Sequence, residues 1–465
     1  MKLHTILLLL APCVSMSVCN RVYVHPFHLF NFNKTECEKT ESQNQTVETF
    51  FTPISIQSKL MPEKEHVKEP TSLDIKQLGV AEKFVLNRLS SLVEDFGRRT
   101  LNVMSKIGKH NTFLLSYTNL YRTLMSFYLG ASGNTSDSLQ ALLGFGYPSG
   151  NENCISKLNG DKVILALRNI EDLVISTDGN IIDRTIAYIF VSADIPLLES
   201  FIQHLLPSAD ELYVRSVDFT DSLKATDSIN DFLQSQSSRK SRNVLNAIAS
   251  STNFLYVSHV HFTGKVKNYF PTTEPQEFWI EPNIKMLVPM MSVKGDFQYK
   301  MDNTKEISVL RMPISENDFL LLVQPTNGNT LDNIESSISR DTVTNWMANL
   351  SSRKMKITLP KLDIESSYNV QDILANIMGI QTLFGKNADF SKISKADIHV
   401  GEIINRVHFV LEDIASDRNE DNALDKDDLE CLNVTYNKPF LMALFEGVSK
   451  ALIFFGRITN PVTVH

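Results

Sequence analysis

The chain has 465 residues, of which 43% are hydrophobic and 21% charged, which excludes a disordered tail or linker and is enough for a large core. Forty-five lysines and arginines against 53 acidic residues give a net charge of −8. There is no basic excess to track a phosphate backbone, so nucleic acid is set aside as a partner; length alone leaves open one large domain or two or three smaller ones.

Lys2 and His4 precede the apolar run from Ile6 to Ala11, which is too short to span a bilayer, and small residues follow at Ser15, Ser17 and Cys19. Residues 1–19 therefore read as a cleaved signal peptide, and the mature chain is expected to start at Asn20 and to be secreted, with no membrane association. Three cysteines remain after that cut: Cys37, Cys154 and Cys431. None has the close spacing of a zinc or redox motif, and an oxidising compartment favours one disulfide, with three pairings open. Asn33, Asn44, Asn134, Asn349 and Asn433 each head an N-glycosylation triplet and are expected on the surface.

The mature start is Asn20-Arg21-Val22-Tyr23-Val24-His25-Pro26-Phe27-His28-Leu29. Pro26 fixes its own φ and disfavours helix at His25, so this segment is expected to be extended and exposed. Phe27, Leu29 and Phe30 place apolar side chains around the Leu29–Phe30 bond. His25 and His28 have HxxH spacing, but Pro26 is expected to forbid the shared helical face and no third ligand is near, so no metal is expected. Val22, Val24 and Phe27 also fit a plain edge strand. From Glu38 to Ser72 the composition is rich in Glu, Gln, Thr and Lys with Pro53, Pro62 and Pro70 interspersed, and residues 30–72 are expected to be a mobile tail in which Phe50-Phe51 is the one apolar docking point.

Leu78, Ala81, Val85, Leu89, Leu92 and Phe96 recur at helical spacing, and helices are expected to dominate the following hundred residues. From Asn253 the texture turns to β-branched and aromatic runs. Strands are predicted over Phe254–Phe262, Phe319–Val323, Met355–Leu359, Val407–Leu411 and Phe440–Phe445, with a helix over Asn369–Phe384. This is an α+β pattern.

The strings FLYVSHVHFTGKVKNYF (254–270), VPMM (288–291), ITLPKL (357–362), YNVQDILANIMGIQTLF (368–384), ADFSKIS (388–394), YNKPFLMALFE (436–446) and FFGRITNP (454–461), together with NTFLLSYTNLYRTLMSFYLGASGNT (111–135), form an ordered set. It resembles the serpin family over roughly residues 75–465. The resemblance implies a serpin domain over 73–465, with three β-sheets, eight or nine helices and an exposed reactive-centre-like loop near Ala415 to Leu432. In inhibitory serpins the cleaved loop inserts into the main sheet and traps the protease. Here Asp417-Arg418-Asn419-Glu420-Asp421-Asn422 occupies the hinge, and insertion in either register would bury charge. A non-inhibitory member is therefore expected; the alternatives are a secreted serine protease inhibitor and a carrier of small apolar ligands.

The first ten mature residues resemble a vasoactive decapeptide released from a precursor branch of that family. The resemblance implies cleavage at Leu29–Phe30 by renin, an aspartic protease. It further implies trimming at Phe27–His28 by a dipeptidyl carboxypeptidase, leaving an octapeptide from Asn20 to Phe27 for a receptor that regulates blood pressure, fluid and salt. Arg21, Tyr23, His25 and Phe27 would supply a cation, a phenol, an imidazole and a terminal carboxylate. A Cys37–Cys154 bridge is also implied, with Cys431 left over. No cofactor is expected. No GxSxG, HExxH, P-loop or GxGxxG string is present, so no enzymatic activity is expected either.

Overall fold

The computed structural model describes residues 24–43, 48–58, 78–107, 111–146, 153–175, 181–236, 244–266, 269–272, 274–378, 383–413 and 431–461. The signal peptide, Asn20 to Tyr23, Asn44 and residues 415–430 of the expected reactive loop lie outside the described residues.

Two helices, α1 (Pro26–Phe30) and α2 (Lys34–Gln43), and two short strands, β1 (Phe50–Phe51) and β2 (Ile54–Ser55), occupy the stretch expected to be extended or mobile. This corrects the expectation of a structureless tail over residues 30–72 for its described part. The helix α2 has almost no apolar face, so periodicity could not reveal it; a disulfide and a cap hold it instead. Phe50 and Phe51 pair with Leu198 and Leu197 of the short strand β5 (Leu197–Leu198), the docking point expected of them.

The long helix α3 (Val80–Ile107) buries Leu86, Leu89, Val93 and Phe96 along one stripe. After strand β3 (Phe113–Ser116), Ser116 accepts the Asn119 N–H and starts α4 (Tyr117–Gly130), which is buried nearly throughout. Gly97 permits this crossing, since a Cβ there would lie 2.1 Å from the Tyr117 ring. Then come α5 (Gly133–Leu142) and α6 (Gly160–Val174), the latter capped by Asn159.

The main sheet has six strands. In spatial order they are Asp363–Asn369, Val400–Asp413, β7 (Phe254–Val266), β4 (Ile181–Ser192), β6 (Glu211–Val217) and, at the edge, β2. The strand Val400–Asp413 runs parallel to β7 and is bonded to it from Val400↔Phe254 to Asp413↔Val266, so no strand lies between them. Strands β4 and β6 fall within the stretch expected to be mostly helical. In β4 the apolar runs Ile181-Ile182 and Ile186 to Val191, rich in isoleucine and aromatics, carry the strand signal that the surrounding helices obscured; β6 offers only Tyr213-Val214. A second path of strands runs Leu432–Thr435, Ser351–Pro360, Met290–Asp302, Ile307–Pro313, Phe319–Pro325, Phe440–Phe445, Leu452–Ile458 and β3, with Tyr269–Pro271 pairing off it. Its hydrogen bonds join into one nine-stranded sheet what the family resemblance divides between two. One large core holds α3, α4, α6 and both sheets together, and a smaller cluster lies under the helix Ser222–Ser235 on one face of the main sheet.

Candidate functional site

The Leu29–Phe30 bond lies in α1, not in an extended strand. His25 keeps the extended conformation expected before proline, at φ −62° and ψ 135°, but Pro26 itself takes the first helical position, where its fixed φ suits the turn. The rule that disfavours helix at His25 thus starts a helix one residue later. The His25 imidazole Nδ1 accepts the Phe27 N–H at 3.2 Å, the His28 N–H reaches the His25 carbonyl at 3.0 Å, and the Asn31 N–H closes on the Phe27 carbonyl at 2.9 Å.

Three-residue spacing puts Phe27 and Phe30 on one face, and each is only 1% exposed. They enter the core shared by Leu86, Leu89 and Val163, with α1 lying against α3 and α6. Phe30 meets Phe145 edge to face, centroids 5.6 Å apart. Leu29 is half-buried and His28 exposed. The expectation of an exposed, extended segment around Leu29–Phe30 is therefore corrected: the backbone is helical and the Phe30 side chain points into the body.

The same turn corrects the reading of the two histidines. Pro26 does not forbid it, and the His25 and His28 rings lie 6.4 Å apart. No group of three metal-ligating side chains occurs among the described residues. Burial, and then the neighbouring His28 and Arg88, push the His25 pKa below its ordinary value, favouring the neutral ring that accepts the Phe27 N–H.

Beyond the bond, the chain is stitched to the segment before α6. The Asn159 N–H donates to the Phe30 carbonyl at 2.8 Å, the Phe32 N–H to Lys157 O at 3.2 Å, and the Asn31 side-chain amide to Ile155 O at 3.1 Å, with Asn31 bridging Leu158. The Lys162 ammonium, in the first turn of α6, donates to the Asn31 carbonyl and contacts the Glu36 carboxylate, each at 2.8 Å. Asn33 and Glu36 cap α2 reciprocally, each side chain accepting the other's backbone N–H at 2.9 Å. Glu36 titrates below its usual range: burial alone would raise it, but the Lys162 contact and the Asn33 N–H outweigh that.

Cys37 is joined to Cys154, with Cα atoms 5.8 Å apart and a sequence separation of 117. Cys431 takes no part in this bond. Of the glycosylation triplets, Asn33, Asn134, Asn349 and Asn433 are exposed. Sequence reasoning missed Lys162, Asn159 and Phe145. The one available signal was Asn159 three residues before Lys162 at a helix start, which says nothing about contact with residues 30–36.

The serpin (serine protease inhibitor) family model matches residues 91–461. Over 463 residues the chain is 32% identical to angiotensinogen of Rattus norvegicus, covering 97% of this chain and 96% of that protein. It is also 32% identical to angiotensinogen of Homo sapiens over 470 residues, covering 99% and 98%. Among solved structures, uncleaved ovalbumin superposes with a TM-score of 0.67 at 20% identity, covering 80% of this chain and all of that one, which supports the fold. The chain belongs to the serpin family and, within it, to the angiotensinogens, which are non-enzymatic precursor proteins.

Proposed function

We propose that this chain is the secreted precursor of a vasoactive peptide hormone of the angiotensin type. Renin cleaves Leu29–Phe30 to release Asn20 to Leu29. Angiotensin-converting enzyme then cuts Phe27–His28, and the octapeptide from Asn20 to Phe27 acts on angiotensin receptors in the control of blood pressure, fluid and salt. The decapeptide string, at the head of a chain 32% identical to rat angiotensinogen along nearly its whole length, carries this reading.

The geometry gives the body a part in the process. An aspartic protease takes its substrate extended, whereas Phe27 and Phe30 are seated in the core. Cleavage of the native protein therefore requires α1 to unwind and leave the body, and the body sets how often that occurs. Glycans on Asn33, Asn134, Asn349 and Asn433 would all project into solvent. Asn33 could carry one on its amide nitrogen while its oxygen still caps α2.

Incubation of the folded protein with renin, followed by mass spectrometry, tests the assignment. The expected product ends at Leu29, and Leu29→Asp abolishes it. Release from that variant at the native rate, or a product ending elsewhere, refutes the reading.

A further inference from the structure

We propose that Lys162 is a positioning residue for the cleavage just described, a clasp that keeps the stretch after the scissile bond on the body and thereby limits renin's access. This rests on the renin-substrate reading and names what regulates that same site. Among the described residues, Lys162 is the cation that grips both ends of this stretch. It holds the Asn31 carbonyl, one residue past Phe30, and the Glu36 carboxylate, one residue before the disulfide.

Chain geometry shows why the disulfide alone does not hold the bond in place. Seven residues separate Phe30 from Cys37, and at about 3.4 Å per residue an unfastened segment reaches roughly 24 Å from its anchor. Such a tether leaves the scissile bond free to sample solvent and a protease cleft. What keeps it on the body are the non-covalent contacts: the Phe30 ring in the core, two backbone hydrogen bonds to residues 157–159, the Asn31 side-chain amide on Ile155 O, and Lys162.

The disulfide and the clasp are coupled. With Cys37 fixed to Cys154, Glu36 has a high effective concentration at Lys162. Without the bond, that local enrichment of Glu36 at Lys162 is lost, and the clasp leans more on the one neutral carbonyl. The clasp should therefore matter more in the oxidised protein than in the reduced one, a pairwise dependence that a double-variant cycle reads directly.

The test uses full-length protein carrying Lys162→Met, Glu36→Gln or Lys162→Arg, each with and without Cys37→Ser. Gln at 36 retains the reciprocal cap on α2 and removes only the charge. Two readouts are taken: amide exchange at Phe32 and Asn159, and the rate of decapeptide release by renin divided by the rate from a synthetic peptide of residues 20–34. Lys162→Met and Glu36→Gln are expected to speed exchange and to raise the normalised release about three- to tenfold. Lys162→Arg should return most of the native rate, and the gains should shrink when Cys37 is serine. Unchanged exchange overturns the clasp, as does faster exchange with unchanged release. If renin cuts neither the protein nor the peptide at Leu29–Phe30, the substrate reading fails, while amide exchange still decides whether Lys162 holds the segment.

Discussion

Replacing Phe27 by alanine separates docking of the peptide from its chemistry. The native ring is 1% exposed within the main core, and truncating a phenylalanine so placed costs about 3–5 kcal/mol. That cost falls on the docked form alone, because the undocked tail exposes residue 27 whichever side chain it carries. The docking equilibrium should therefore shift toward the open form by about two to four orders of magnitude. The observed gain in cleavage saturates once opening no longer limits the rate. Since Phe27 would also meet the protease in the proposed cleavage, the assay is a ratio: decapeptide release from the folded variant over release from a matching synthetic peptide, compared with the same ratio for the native sequence. The ratio should rise steeply and approach one. An unchanged ratio would mean that burial of α1 does not restrain cleavage, and the gating argument would fall.

Three further outcomes are expected. Reduction of the protein, or Cys37→Ser, should change the rate of decapeptide release while leaving the melting temperature nearly fixed, because the bridge pins a peripheral helix; peptide mapping that joins Cys37 to Cys431, or equal rates from both redox forms, defeats this. The His25 pKa is lowered in the folded protein, so its contribution to docking is present above the ordinary value of 6.5 and is lost as pH falls through the lowered one; normalised release should rise on acidification, and His25→Asn, which accepts the same N–H without titrating, should flatten the profile. Proteolysis within 415–430 should yield neither an SDS-resistant protease complex nor a large gain in melting temperature, because either register of insertion between β7 and Val400–Asp413 would bury charge; a trapped protease would contradict it.

The body was legible where local pattern and burial agree. The helical spacing from Leu78 to Phe96 marked α3, although its buried stripe is Leu86, Leu89, Val93 and Phe96 and Ala81 is exposed, and the runs at 254, 319, 355, 407 and 440 all lie in strands. Around the cleavage site the pattern was present but its consequence was not. Pro26 acts oppositely on the residue before it and on itself, and only the second effect builds α1. Phe27 and Phe30 read equally well as protease contacts and as core residues. The choice is made by α3 and α6, which are far away in sequence. Three disulfide pairings stood open on residue count, and the Cys37–Cys154 bond depends on the turn at Cys154 meeting α2 in space.

The short strand β2 has a consequence for solubility. Ile54 and Ser55 lie against Arg215 and Ser216 on β6, at the margin of the main sheet. An unpaired margin is a template on which another chain can add, and even a short cover interrupts it. The proposed cut at Leu29–Phe30 would remove the peptide but leave Cys37, β1 and β2 attached to the body, so the remaining protein would keep its margin covered. A cut after residue 55 would release the same peptide within a longer fragment if the Cys37 bridge were open, and would expose that margin to neighbouring molecules. The scissile bond thus lies on the side of the tail where removal costs the remaining protein least in resistance to aggregation.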